Sequence, residues 1–168
     1  MKKCWPEIKI IGSIFLVWRT WLFGLGILAE KLLPFKESFP YVGRLSSSGL
    51  PSWLWAWGNF DGVHYVHLAG FGYTELGLQV FFPLYPLTIK LLNFIFNNWV
   101  ISGLLISNIS IFIGAWIFYR LILKQFDEKT ALWSTVFLFT FPTSLFFGAI
   151  YTASLFFFLF ILSFSSTS

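Results

Sequence analysis

Apolar residues gather in five runs along the chain, and the lengths of those runs separate membrane spans from surface helices. Residues 8–29 are enough to cross a hydrocarbon layer of about 30 Å at about 1.5 Å per residue. Residues 30–77 then mix polar and apolar positions, with Pro34, Pro40, Pro51 and the turn Ser46-Ser47-Ser48-Gly49. The next run, 78–96, is cut by Pro83 and Pro86, and the stretch after the second proline is short. Runs of ~10–14 apolar residues are typical of interfacial or re-entrant helices rather than spans. Three further runs, 99–120, 131–147 (breaking around Pro142) and 153–165, read as membrane helices. The pattern predicts an all-α polytopic protein with helices near 8–29, 99–120, 131–147 and 153–165. A large first outer loop, 30–98, would carry short or re-entrant helices, and 1–168 would be a single transmembrane domain.

Charge decides the orientation. Lys2, Lys3 and Lys9 stand at the start of the first run, which by the positive-inside bias places the N-terminus in the cytoplasm and the loop on the extracytoplasmic face. If 78–96 does not cross, 99–120 runs inward and delivers Arg120, Lys124 and Lys129 to the cytoplasm. If it crosses, those cations lie outside, against the bias. Trp53, Trp55 and Trp57 in the loop suit interface anchors.

Composition confirms the solvent. With 57% hydrophobic, 23% aromatic and 11% charged residues, the chain lies outside the range of water-soluble domains. Its net charge of +4 comes from scattered cations rather than a basic stripe, which argues against nucleic acid as a partner. Cys4 is the single cysteine, so no intrachain disulfide or thiolate cluster can form. The first run is interrupted by Arg19, and Leu28-Ala29-Glu30 offers no small-residue cleavage site, so it reads as a retained helix rather than a signal peptide.

Chemistry concentrates in Trp57-Gly-Asn-Phe-Asp61-Gly-Val-His64-Tyr65, followed by Gly72-Tyr73 and Phe81-Phe82-Pro83-Leu84-Tyr85-Pro86. Of the seven carboxylates, Asp61 alone is embedded among aromatics, His and Gly. Two readings of it stand: a general base, or the turn-forming Asp of an Asp-Gly pair. Glu75 is the second choice of base, while Glu30 and Glu37 read as interface charges. His64 and His67 share a helical face, but no third metal ligand is evident. His64 is either a hydrogen-bonding partner of substrate or an interfacial polar residue, and His67 is structural. The sequon Asn108-Ile-Ser110 lies within an apolar helix and the run Phe156-Phe157-Phe158 is lipid-facing or packing, so neither is a site.

At these positions the sequence resembles the PIG-V-like family of membrane mannosyltransferases, of the GT-C superfamily. Three blocks carry the likeness: Phe60-Asp61-Gly62-Val63-His64-Tyr65 to Gly72-Tyr73, Phe81 to Pro86, and Phe141-Pro142-Thr143 leading to Tyr151-Thr152-Ala153-Ser154-Leu155. The resemblance implies a GT-C-like helical bundle that moves a sugar, mannose by analogy, from a polyprenyl-phosphate donor to an extracytoplasmic glycan or glycolipid acceptor. It implies no metal and no further cofactor; donor, acceptor and membrane lipid are the partners. Asp61 would be the base, with His64, Tyr65, Tyr85 and Tyr151 contacting substrate. Ala153 departs from the family, which shows Glu there, and family members are longer, marking this as an N-terminal portion.

Two cations complete the expectation. Arg19 falls mid-helix, where a charge costs roughly 2.5 to 3.5 kcal/mol on insertion scales and needs a partner. That partner is either the lipid phosphate or a structural carboxylate or carbonyl. Lys90 either steadies the leaving phosphate or snorkels to the interface. The alternative function is a non-catalytic, truncated membrane protein that binds a lipid-linked sugar or a partner. A transporter is the weaker third reading, since neither paired intramembrane charges nor an inverted repeat is present.

Overall fold

A computed structural model describes residues 4–33 and 40–167. Lys2, Lys3, Pro34, Glu37 and the side chain of Cys4 lie outside what is described. The described residues form helices and the turns between them. The helices are α1 (Cys4–Leu32), α2 (Val42–Ser46), α3 (Ser52–Trp55), α4 (Asp61–Phe71), α5 (Leu84–Phe96), α6 (Trp99–Gln125), α7 (Glu128–Thr140), α8 (Leu145–Gly148) and α9 (Thr152–Thr167). Helix α1, from Glu7, and α6 are long and apolar enough to cross a membrane; α7 with Pro142–Gly148, bent by 69°, makes a third candidate. Helices α5 and α9 are apolar but shorter, at 13 and 16 residues. The molecule is an all-α membrane protein.

Local sequence explains the boundaries. Asn98 caps α6, its side-chain oxygen accepting from Val100 and Ile101 N–H at 3.1 Å, and its amide donates to Ser48 O at 2.9 Å. The same residue therefore starts a long helix and ties down the loop before it. Asp127 caps α7 in the same way, accepting from Thr130 N at 2.8 Å. Helix α7 ends at Thr140 because Phe141 turns extended ahead of Pro142, as the residue before a proline tends to do.

Helices α1 and α6 run antiparallel. Glu7, near the start of α1, pairs with Arg120, near the end of α6, at 3.6 Å, and Gly12 lies against Phe112. Around this seam Ile11, Trp18, Leu22, Ile111, Ala115, Tyr119, Ala131 and Phe139 form one core. A second core, in which Val63, Tyr65, Val66, Tyr85, Ile89, Val100 and Ile150 meet, joins α4, α5 and α6. The loop 40–83 is thus not a solvated strap: α4 is mostly buried between the other elements.

Small residues on α6 let its neighbours approach. A Cβ on Gly114 would fall 3.2 Å from the backbone of Phe158, and one on Gly103 would fall 2.7 Å from Cγ2 of Ile150. Such close contact is what associates helices in lipid, where apolar burial supplies no driving force. We predict that Gly103→Ala destabilises the protein: overpacking costs ~1–3 kcal/mol, more than the ~1 kcal/mol that alanine gains in helix propensity. The double variant with Ile150→Ala should lose less than the two single losses added, because the clash is then relieved. Thermal unfolding in lipid nanodiscs measures both.

Candidate functional site

Asp61 is the first residue of α4 and is exposed. The chain reaches it through Phe60, whose φ of 59° and ψ of −125° fall where side chains are rarely found. Such strain, of order 1–3 kcal/mol, persists only where surrounding contacts over-determine it and clusters at functional sites. Here those contacts come from the far end of the chain. The Ile150 N–H donates to Trp57 O at 2.9 Å, and Tyr151 O–H donates to Asn59 O at 3.2 Å. Thr152 Oγ1 lies 3.5 Å from the Tyr65 hydroxyl.

The three sequence blocks therefore meet. The Tyr65 ring stands edge-on to both Phe81 and Tyr85, at 5.1 Å each. His64 stacks on Phe81 at 5.0 Å, meets the edge of Tyr41 at 5.9 Å, and keeps a buried Nδ1 that has no hydrogen-bond partner among the described residues. Tyr73 donates to Phe81 O. Burial pushes the Tyr151 phenol up to about 12; a hydrogen bond with the Asp61 backbone pulls against that shift, and the Asp61 charge adds to it. Burial raises Tyr65 as well, with Asp61 again contributing. Both phenols remain neutral donors beside the carboxylate.

Other expected residues are placed elsewhere. Tyr85 is sealed in the core, 1% exposed, with its hydroxyl 2.6 Å from Ser107 Oγ and 3.2 Å from Gly103 O. It supports Tyr65 rather than facing open space. Lys90 is exposed on α5. Arg19 is buried behind the loop. Its guanidinium lies 4.1 Å from the Phe23 ring and 4.9 Å from that of Trp57, a Cβ on Gly148 would clash with it, and its nitrogens have no hydrogen-bond partner among the described residues. Glu75 accepts from the Tyr41 hydroxyl. His67 is stacked between Tyr41 at 4.2 Å and Phe71 at 5.3 Å, with Nε2 3.3 Å from Thr74 Oγ1. No group of three or more metal-ligating side chains occurs among the described residues.

The chain is similar to a mannosyltransferase. GPI mannosyltransferase 2 of Drosophila pseudoobscura pseudoobscura is 28% identical over 132 residues, covering 70% of this chain and 28% of that protein's own length. No family model matches, and no solved structure matches.

Sequence reasoning passed over Asn59 and Phe60 as site residues, and with them a cleft of about 600 Å³ that they line together with Gly26 of α1, Trp57 and Tyr151.

The neighbourhood of His67 makes a pH prediction. Burial, then the charge of Arg44, lower its proton affinity, opposed by Glu75 and supported by His64. Because the folded value lies below the unfolded one, neutral His67 contributes stability that is lost as pH falls from the usual histidine range near 6.5 through the folded value. Hydrogen exchange at 72–77, where Thr74 and Glu75 are held, should accelerate as pH drops below about 6.5, after correction for the intrinsic rate. In His67→Phe that acceleration should vanish.

Proposed function

We propose that this chain carries the acid-bearing face of a membrane glycosyltransferase that moves mannose from a polyprenyl-phosphate donor to an extracytoplasmic glycan or glycolipid acceptor. The observation that carries the reading is the convergence of Asp61 with Tyr65, Tyr151 and Thr152, drawn from separated blocks, in a chain similar to a protein named as a mannosyltransferase.

The antiparallel pairing of α1 and α6 supports an orientation with the N-terminus and Arg120 on the cytoplasmic side and Asp61 on the opposite face, α5 lying in the interface without crossing. The Asp61 carboxylate takes the proton of the acceptor hydroxyl as its oxygen bonds to the anomeric carbon. The bond from that carbon to phosphate breaks, and its electron pair leaves with polyprenyl phosphate. Tyr65 and Tyr151, held neutral, present hydroxyls to the sugar, and His64, stacked on Phe81, flanks them. Lys90, exposed on α5, meets the phosphate, whereas Arg19 acts through Trp57, whose ring it braces.

The second reading, a non-catalytic binder of lipid-linked sugar, is favoured by Ala153. It sits in the first turn of α9, next to Thr152 and hence to Tyr65, and leaves Asp61 without a companion carboxylate there. Transfer from labelled polyprenyl-phosphate-mannose in membranes containing this chain separates the two. Asp61→Asn should reduce turnover by about 10²- to 10⁴-fold, the usual share of a general base, with insertion unchanged. Turnover retained in that variant removes Asp61 as the base; absence of turnover in the inserted parent chain favours the binder.

A further inference from the structure

The cleft beside Asp61 has a lining whose chemistry selects among ligands. It runs from Gly26, Ala29 and Leu33 on α1 to Leu145 and Ala149 around α8, with Trp53 and Trp57 as its aromatic wall. At about 600 Å³ it is within the range of small-molecule sites and is mostly apolar, as they are. Its polar groups are few. Glu30, Ser52, Asn59 and Tyr151 contribute them, and Asn59 and Phe60 bring the cleft to within one residue of Asp61.

Glu30 is the one carboxylate in the described lining, and it is held by the Ser52 hydroxyl. No described cation lines the cleft. Asn59 lines the cleft, while its Oδ1 is buried and accepts no hydrogen bond from the described residues. Glu30 accepts hydrogen bonds and opposes negative charge: a phosphate beside it would set two like charges together, which charge complementarity disfavours. Sugar hydroxyls supply donors without charge, and aromatic walls accept an alkyl chain and the apolar edge of a sugar.

We propose that this cleft is the acceptor side of the site and takes a glycolipid with an uncharged sugar headgroup, its alkyl chain along Trp53 and Trp57 and its hydroxyls on Glu30. The assignment rests on the transferase reading above. It separates the two substrates in space: the lipid phosphate of the donor approaches Asp61 from outside the cleft, and the acceptor hydroxyl approaches from within it. Glu30 becomes a specificity-determining residue.

The test is binding of two radiolabelled probes with the same chain, dodecyl maltoside and dodecyl phosphate, to the full chain in phosphatidylcholine nanodiscs, with bilayer partitioning subtracted from empty discs. Dodecyl maltoside should bind saturably, about tenfold or more tighter than dodecyl phosphate. Glu30→Gln should narrow that ratio by strengthening dodecyl phosphate binding. Ala29→Trp, which fills the mouth from an exposed position, and Gly26→Leu should each abolish saturable maltoside binding. Dodecyl phosphate binding as tightly as the glycoside, a ratio unchanged in Glu30→Gln, or maltoside binding intact in both filled variants would each overturn the assignment. Because binding is read without turnover, loss of Asp61 as the base would leave this result standing, and a preference for the phosphate probe would leave the transferase reading standing.

Discussion

Everything near Asp61 depends on how Ile150 is seated. Its side chain is fully buried, and three glycines make the room: a Cβ on Gly58, Gly62 or Gly103 would lie 3.2, 3.4 or 2.7 Å from it. Its N–H is satisfied by Trp57 O at 2.9 Å. The break that ends α7 leaves backbone groups without helical partners, and in lipid or its interface such groups are costly unless the protein itself satisfies them. The Ser144 and Ser154 hydroxyls answer two more, donating to Phe139 O at 2.7 Å and Phe147 O at 2.6 Å. Once Ile150 is fixed, the next two residues have little freedom, and Tyr151 and Thr152 fall onto Asn59 and Tyr65.

Arg19 secures the same junction from below. A cation mid-helix carries an insertion cost of roughly 2.5 to 3.5 kcal/mol, and no carboxylate among the described residues offsets it. Two aromatic faces do so in part, each desolvated cation–π contact being worth up to about 2 kcal/mol. The charge thereby links α1, the Trp57 turn and α8, which are the three walls of the cleft.

Much of this was legible in the amino-acid pattern, and the reasons differ by element. Residues 8–29 and 99–120 announced themselves by the length of their apolar runs, although the helices run on to Leu32 and Gln125, past the charged residues Glu30 and Arg120 at which those runs were ended. The proline pair Pro83 and Pro86 marked α5 as short. Pro142 marked the bend of 69°. The loop 40–83 was harder: α4 has residues such as His67 that look polar yet are buried by ring stacking, which hydropathy does not register. Tyr85 looked like a substrate contact and is a core hydroxyl with two local partners. Asn59 and Phe60 lie inside the stretch that stood out, but their residue types do not announce the positive φ at Phe60, which accompanies contacts from far along the chain, the Tyr151 to Asn59 hydrogen bond among them.

The docking of the 149–152 turn is best probed by hydrogen exchange at the single backbone amide of Ile150, in the full chain in a lipid bilayer, because that N–H lies outside any helix and its only described acceptor is Trp57 O. Protection should be comparable to the interior of α6, and should be lost together with protection across 57–65 when Gly58→Leu fills the seat of Ile150. Free exchange at Ile150 in the parent chain would mean that the 149–152 turn is not docked on the Asp61 segment, and the site described here would not exist as a unit.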